Sequence, residues 1–193
     1  MGRLREIIGD KPFLSSELCL NSPRFQQRTY RLALLMGEVI HKNLTVLDAQ
    51  AVLFCWTIVN VVQPSFGWTR SLFVCDRTDG FTPTASSHQL RVFAAWSRYV
   101  ERGMRRVACD SGHADLLATA FVGDRGEATV VLLNRSTGPL EPRIAGLPSR
   151  FTHAEVADPY HPNLVIELSE PCVVPPGAIL TLTNLPPKGR FGA

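Results

Sequence analysis

Apolar positions over residues 1–103 alternate between short runs and helical spacing. The segment PFLSSEL, opened by Lys11-Pro12, predicts a short strand, and Asn21-Ser22-Pro23 has the form of a helix start. Apolar residues then recur at intervals of three and four over residues 24–42, which predicts an amphipathic helix. The uninterrupted run AVLFCWTI at residues 51–58 predicts a parallel strand buried on both faces. This order is typical of an α/β fold.

A long segment and a second helix complete this half of the chain. Residues 63–86 are interrupted by Gly and Pro and are rich in aromatic residues, so we expect a long functional loop there. A second amphipathic helix begins near Leu90, and we expect it to end at Gly103. The face of residues 51–58 would need neighbouring strands beyond those that this half of the chain supplies.

After Gly103 the pattern changes to short strands separated by turns. We predict seven strands, at residues 105–109, 116–122, 128–134, 142–145, 152–157, 164–168 and 178–184. The breaks between them are rich in Gly, Pro, Asp and Ser. This spacing is typical of an antiparallel β-sandwich. The sequence therefore predicts an α/β domain over residues 1–103 and an all-β sandwich domain over residues 104–193.

Composition and charge exclude several functional classes. The 193 residues are 45% hydrophobic and carry 20 basic and 17 acidic side chains, a net charge of +3. Because the net charge is small and the arginines are scattered, the sequence shows no basic patch of the kind that binds nucleic acid. No apolar stretch approaches the roughly 20 residues that span a bilayer, so no transmembrane segment is expected. The N-terminus has no apolar core of a signal peptide.

Cysteine and histidine spacing offers no support for a metal or a cofactor. The five cysteines include no CxxC pair, and the five histidines show no HxxxH or HExxH spacing. We therefore predict no metal site and no cofactor, and we expect mostly buried thiols. Cys19, two residues after Glu17, is expected to be buried and inert. The two N-x-[ST] sequons, at Asn43 and Asn134, are of a pattern that is common by chance.

Glu17 is the foremost candidate for chemistry. It stands near the end of the first predicted strand, and active sites of parallel α/β folds collect at the carboxyl ends of strands. Trp56 occupies the corresponding place on the next predicted strand. A solvated or capping role for Glu17, and a core role for Trp56, are the structural alternatives. No GxSxG motif indicates a serine nucleophile, and Asp76 and Asp79 are equally well explained as turn residues.

Several motifs in order resemble glycoside hydrolase family 30. They are PFLSSELC, the apolar strand with Trp56, Trp68, the segment WSRYVERGMRRV and the hairpin ATVVLLNRS, and together they extend from about residue 11 to about residue 137. The pattern is closest to the branch that contains acid β-glucosidase. The resemblance implies the last quarter of a (β/α)8 barrel, strands 7 and 8 with their helices, followed by a β-sandwich.

The same resemblance implies a retaining β-glycosidase that acts on a carbohydrate. In the family, a Glu at the end of the seventh strand is the nucleophile, which falls on Glu17, and a Trp at the end of the eighth strand lines the sugar site, which falls on Trp56. The loop after the eighth strand makes Trp68, Arg70 and Ser71 candidate substrate contacts, with loop packing as an equal alternative. The resemblance also implies export from the cell, whereas the residues themselves predict neither a compartment nor an oligomeric state.

One departure from the family concerns the second carboxylate. The general acid/base of the family is a Glu, usually after Asn, on the fourth barrel strand, and this sequence contains no Asn-Glu pair. The sequence is therefore interpreted as a C-terminal portion of a longer enzyme, inactive by itself. The alternative is a non-catalytic β-sandwich module, either carbohydrate-binding or interacting with another protein, with a helical N-terminal extension.

Overall fold

The chain forms two compact units. The computed structural model describes residues 1–19, 30–55, 57–60, 71–76, 82–147, 150–161, 163–168 and 171–189. The units are Met1–Arg91 and Val92–Ala193, so the division falls inside a helix, ahead of the change of pattern at Gly103. Within these residues, three helices and a six-stranded antiparallel sheet dominate the architecture, which is α/β in the first unit and sandwich-like in the second.

The first unit is built on a β-α-β arrangement. Its elements in chain order are α1 (Gly2–Ile8), β1 (Phe13–Leu18), α2 (Tyr30–Thr45) and β2 (Ala49–Phe54). The strands β1 and β2 pair in parallel, from Phe13 opposite Ala49 to Leu18 opposite Phe54. The predicted strand and helix are thus confirmed where the structure describes them; the expected helix start at residues 24–29 lies outside the described residues. The sequence did not predict α1, which buries none of its residues.

Two predictions for the rest of this unit are wrong. The run at residues 51–58 is not one strand, because β2 ends at Phe54 and a separate strand, β3 (Ile58–Asn60), begins after it. The expected loop at residues 63–86 contains β4 (Phe73–Asp76) and β5 (Thr82–Ser86). In a three-stranded sheet, β4 pairs in parallel with β3 and antiparallel with β5. An apolar run shows what is buried, but only long-range pairing decides where one strand ends and the next begins.

β2 is also not buried on both faces. Its ends, Ala49 and Phe54, are buried, whereas Leu53 is 51% exposed, and Leu14 on the neighbouring β1 is 53% exposed. α2 buries an apolar face that includes Leu32, Met36 and Ile40, as its sequence spacing predicts. Parallel sheets are normally covered on both faces. The β1–β2 pair of this chain instead leaves leucine side chains exposed.

The helix that crosses the unit boundary is α3 (His88–Ser97). Ser87 Oγ accepts a hydrogen bond from the backbone N–H of Leu90 at 3.2 Å, which makes it an N-terminal cap. The helix ends at Ser97 rather than at Gly103, so the expected end is wrong. Tyr99 and Val100 donate backbone hydrogen bonds to Trp96 O and turn the chain out of the helix. Gly103, with φ +92°, serves a later turn instead.

The second unit is organised by one antiparallel sheet. Its strands are β6 (Arg105–Val107), β7 (Leu116–Val122), β8 (Ala128–Asn134), β9 (His153–Ala157), β10 (Leu164–Ile166) and β11 (Ile179–Thr183), in the spatial order β10-β9-β11-β8-β7-β6. Six of the seven predicted strands are confirmed. The predicted strand at residues 142–145 does not form; an isolated bridge between Leu140 and Val174 lies nearby.

Both faces of this sheet are covered, and all residues of β8, β9 and β11 are buried. One face carries the apolar cluster of Leu132, Val156, Leu180 and their neighbours, against which Leu140, Ile144, Leu147, Phe151 and Cys172 pack. Irregular segments thus take the position of a second layer. Each fully buried Val or Leu stabilises the fold by about 1.5–3 kcal/mol, so this cluster dominates the stability of the unit.

The opposite face carries threonines that bind the end of α3. Thr181 Oγ1 donates to Ala95 O at 3.0 Å, and Thr129 Oγ1 donates to Tyr99 O at 2.8 Å. Thr129 and Thr183 also share a hydrogen bond at 3.0 Å. These buried hydroxyls are all paired, so they attach the helix end to the sheet in a single orientation.

Among the described residues, no helix has the combined length and apolarity needed to cross a membrane.

Candidate functional site

Glu17 lies near the carboxyl end of β1, and its side chain is exposed. The next residue, Leu18, is 9% exposed and ends the strand. Because β1 and β2 are parallel, their carboxyl ends meet at the same edge of the sheet. The backbone N–H of Cys55 donates to Leu18 O at 3.0 Å and continues the pairing beyond both strands.

Two cysteines flank Glu17 at this edge. Cys19, two residues further along the chain, donates its thiol to Glu17 Oε1, with Sγ and Oε1 3.2 Å apart. Cys55 Sγ, Cys19 Sγ and a carboxylate oxygen of Glu17 all lie within 4.8 Å of one another. The three residues are called here the Glu17–Cys19–Cys55 cluster. Both cysteines are free and half-buried.

Cys19 differs from its sequence-based description. The expectation of a buried thiol is wrong, because the residue is only half-buried and its thiol is bound to Glu17. Loss of hydration, together with hydrogen bonds and charge from Glu17 and Cys55, raises the pKa of the Cys19 thiol to about 12. At neutral pH Cys19 is therefore a hydrogen-bond donor that holds the carboxylate of Glu17 in place.

The remaining candidate residues are unevenly described. Trp56, Trp68 and Arg70 lie outside the described residues, so their predicted contacts with substrate stay predictions. Ser71 is fully buried, just before β4. Full burial fits the packing alternative that the sequence leaves open for this residue.

Sequence reasoning missed Cys19 and Cys55 as partners of Glu17. Cys19 and Cys55 lie 36 residues apart in the chain, a spacing that matches no motif. One signal was present in the alternation of β1, which puts Glu17 and Cys19 on the same side of the strand. The position of Cys55 depends on the register of β1 against β2, which no local pattern determines.

Neither sequon offers a side chain to solvent. Asn43 is 4% exposed and donates its amide to Val39 O at 2.8 Å within α2. Asn134 is fully buried, and its amide nitrogen donates to Gly138 O at 2.8 Å and to Val174 O at 3.0 Å. In the folded chain both side-chain amides form hydrogen bonds that stabilise the fold.

The second unit contains a buried ion pair that fixes the end of α3. Arg98 Nη2 lies 3.0 Å from Glu155 Oε2, and Tyr99 Oη donates to the same oxygen at 2.9 Å. Arg98 also donates to the carbonyls of Lys188 and Gly189, each at 2.8 Å. Burial raises the pKa of Glu155, while the hydrogen bonds from Tyr99 and Arg98 oppose that shift. All donors here point to one carboxylate or to carbonyls, which indicates a structural role.

Comparisons with known proteins show the fold. No protein-family model matches the chain, and no curated protein matches it by sequence. Among solved structures, it is similar to a conserved exported protein from Bacteroides fragilis, with a TM-score of 0.77 and 16% identity over 94% of this chain and 41% of that one.

Two xylanases of glycoside hydrolase family 30 are also similar. The catalytic domain of xylanase C from Talaromyces cellulolyticus matches with a TM-score of 0.70 and 16% identity, over 91% of this chain and 41% of that chain. A subfamily 8 xylanase from Clostridium acetobutylicum matches with a TM-score of 0.69 and 15% identity, over 90% of this chain and 42% of that chain. The chain thus has the fold of about two fifths of these glycoside hydrolase structures.

Proposed function

We propose that these residues form the C-terminal part of a retaining β-glycosidase similar to glycoside hydrolase family 30. On this proposal, residues 1–103 supply the last quarter of a (β/α)8 barrel, and residues 104–193 supply its β-sandwich. The observation that carries the proposal is the position of Glu17 at the carboxyl end of β1, beside the parallel strand β2. That edge is where barrel enzymes place their catalytic groups.

The extent of the structural similarity supports the enzyme over a free-standing module. The similarity to the glycoside hydrolases extends over 90% or more of this chain, and so includes the β-α-β unit as well as the sandwich. A carbohydrate-binding sandwich has no need of that unit. The module alternative is therefore not favoured.

The apolar surface of the first unit supports a barrel setting. Leu14 and Leu53 are each about half exposed on the β1–β2 pair, and Ile58 on β3 is 56% exposed. A parallel barrel strand is covered by core side chains on one side and by helices on the other. Further strands on both sides of this pair would remove such side chains from water.

In the proposed mechanism, Glu17 is the nucleophile. Its carboxylate attacks the anomeric carbon and forms a covalent glycosyl-enzyme ester, while a second carboxylic acid protonates the departing oxygen. That second group then removes a proton from water, which attacks the anomeric carbon and releases Glu17. The two carboxyl groups of a retaining enzyme lie about 5–5.5 Å apart. The partner would come from a barrel strand other than β1 and β2.

The donor beside Glu17 suits this role. The thiol of Cys19 donates to Oε1 at 3.2 Å and leaves the other carboxylate oxygen available for attack. A nucleophile must also be held in position to attack, which this hydrogen bond does for the carboxylate. Trp56 is proposed to stack on the sugar, with Trp68, Arg70 and Ser71 as further contacts; these assignments stay predictions.

The test is Glu17→Gln in the polypeptide that joins these residues to the rest of the barrel. We expect turnover of an aryl β-glycoside to fall by about four orders of magnitude or more, with the fold retained. The matched control is Glu6→Gln, which removes the same charge from an exposed position on α1 and should leave turnover unchanged. Labelling by a 2-fluoro glycoside should fall on Glu17. Normal turnover in Glu17→Gln, or labelling elsewhere, would show that another residue is the nucleophile.

The proposal also predicts that the 193-residue chain has no glycosidase activity by itself and is poorly soluble. One carboxylate cannot both attack the anomeric carbon and protonate the leaving group. Exposed leucines on an uncovered sheet favour association. A soluble monomer of these residues that hydrolyses aryl β-glycosides would contradict the proposal.

A further inference from the structure

The Glu17–Cys19–Cys55 cluster combines three potential metal ligands at one sheet edge. Glu17 lies in β1, and Cys19 and Cys55 directly follow β1 and β2, so the backbone pairing of the two strands holds the ligands together. Each residue offers one donor atom, two sulfurs and one carboxylate oxygen, and all three atoms lie within 4.8 Å of one another. In the described part of the chain, this is the group of three histidine, cysteine or acidic side chains whose ligand atoms come close enough together to share one metal ion.

The distances fit a tetrahedral cation. Zinc lies about 2.3 Å from thiolate sulfur and about 2.0 Å from carboxylate oxygen, so tetrahedral angles separate S from O by about 3.5 Å and S from S by about 3.8 Å. Cys19 Sγ already lies 3.2 Å from Glu17 Oε1. Small rotations about the side-chain bonds bring the three donors to a common centre.

We propose that Glu17, Cys19 and Cys55 bind one thiophilic divalent cation, of which Zn²⁺ and Cd²⁺ are the representative ions. Two thiolates favour these over Mg²⁺ or Ca²⁺, which prefer oxygen ligands. Each cysteine loses its thiol proton to solvent as its sulfur binds the metal, so the two thiolates balance the charge of the ion. Glu17 is exposed and both cysteines are half-buried. The fourth position therefore opens to water, as it does in zinc sites with three protein ligands.

Binding at this site would engage the same carboxylate that we propose as the nucleophile. A metal-bound Glu17 cannot attack an anomeric carbon, so the ion would inhibit the enzyme. This consequence rests on the proposed function, whereas binding of the ion does not. The two statements are therefore tested by separate measurements.

The binding test titrates Co²⁺ and then Cd²⁺ into the reduced 193-residue chain, carried on a cysteine-free fusion protein. We expect one ion per chain, with a thiolate-to-metal charge-transfer band in the ultraviolet and, for Co²⁺, the visible absorption of a tetrahedral centre. Cys19→Ser and Cys55→Ser should each weaken binding about 100-fold or more, and Glu17→Gln by about 10-fold or more. The matched control is Cys109→Ser, which changes an exposed thiol in the second unit and should leave the affinity unchanged.

A second measurement does not depend on the variants folding normally. In the unaltered chain, Zn²⁺ should protect Cys19 and Cys55 from alkylation by iodoacetamide and leave Cys109 reactive, as peptide mass spectrometry would show. Equal alkylation of Cys19 with and without Zn²⁺ would overturn the proposal. So would binding that persists in the Cys19→Ser/Cys55→Ser double variant, or a disulfide between the two cysteines that survives mild reduction.

Activity separates this proposal from the function of Glu17. In the complete enzyme, Zn²⁺ should inhibit turnover, and Cys55→Ser should remove that inhibition while it retains Glu17. Binding without inhibition would support the metal site and count against Glu17 as the nucleophile. Inhibition that is equal in Cys55→Ser would place the inhibitory ion elsewhere.

Discussion

The buried pair of Arg98 and Glu155 gives a quantitative test of what holds the second unit together. Their side chains are 8% and 1% exposed, and Arg98 Nε and Nη2 lie 3.1 Å and 3.0 Å from Glu155 Oε2. Arg98→Met retains the length and apolar stem of the side chain but removes its charge. The variant leaves a buried carboxylate without its cation, which typically costs about 3–5 kcal/mol of the free energy of unfolding.

Native-state hydrogen exchange would measure this loss within the second unit alone. The amides of β8 and β11 lie in the centre of the sheet, so in the unaltered protein their slowest exchange reports unfolding of the whole unit. Since 1.4 kcal/mol corresponds to a factor of ten, Arg98→Met should accelerate their exchange about 150- to 5,000-fold. The matched control is Lys188→Met. It removes a cation from an exposed pair, 2.9 Å from Glu101 and 40% exposed, and should cost about 0–1 kcal/mol.

The dependence of this loss on pH follows from Glu155. Burial raises its pKa, and the hydrogen bonds from Tyr99 and Arg98 that oppose the rise are reduced when Arg98 is removed. A carboxyl whose folded-state pKa lies above its unfolded value destabilises the fold as the pH rises through the folded pKa. The penalty of Arg98→Met should therefore shrink as the pH falls toward the ordinary range of carboxyl groups.

A second substitution tests the cause directly. Adding Glu155→Gln to Arg98→Met removes the buried charge and retains an oxygen that accepts from Tyr99. We expect the double variant to recover about 1–3 kcal/mol relative to Arg98→Met, because an orphaned charge costs more than a neutral amide. A loss below about 1 kcal/mol in Arg98→Met, or no recovery in the double variant, would refute the argument that charge burial governs this contact.

Three further substitutions test other parts of the second unit. Asn134→Ala should destabilise it by about 2–4 kcal/mol in thermal denaturation, because it removes two hydrogen bonds, to Gly138 O and Val174 O, and the oxygen that accepts from the Ser136 amide. The pKa of Asp158 is lowered, because the opposing effect of partial burial is outweighed by hydrogen bonds from His161 and the Tyr160 amide. Asp158→Ala should therefore cost about 1–3 kcal/mol of the free energy of unfolding at neutral pH. This difference should disappear as the pH falls through the lowered pKa. Gly103→Ala should cost about 1–2 kcal/mol, since φ there is +92°. The control is Gly138→Ala, where the added methyl group meets open space and φ is not positive, so stability should change by less than half of that amount. Equal effects of the two substitutions would refute the role of backbone conformation.

Local patterns determined most of the second unit. β7 and β8 form at the predicted residues 116–122 and 128–134, because turn residues delimit each strand and the apolar residues between them fill both faces. The predicted strand at residues 142–145 failed for a physical reason. The segment packs its apolar side chains, such as Ile144, onto the cluster without pairing with the sheet, and apolar character alone does not distinguish these two modes of burial.

The amino-acid sequence by itself determined that Glu17 ends a strand followed by a helix and a second strand, since those signals lie within a few residues of each feature. The tertiary structure alone decided that β1 and β2 pair in parallel with Leu18 opposite Phe54, and hence that Cys55 meets Cys19 and Glu17. Register depends on contacts between residues far apart in the chain, which no local spacing encodes. The same reason separates β2 from β3 within one apolar run, because the two strands find different partners.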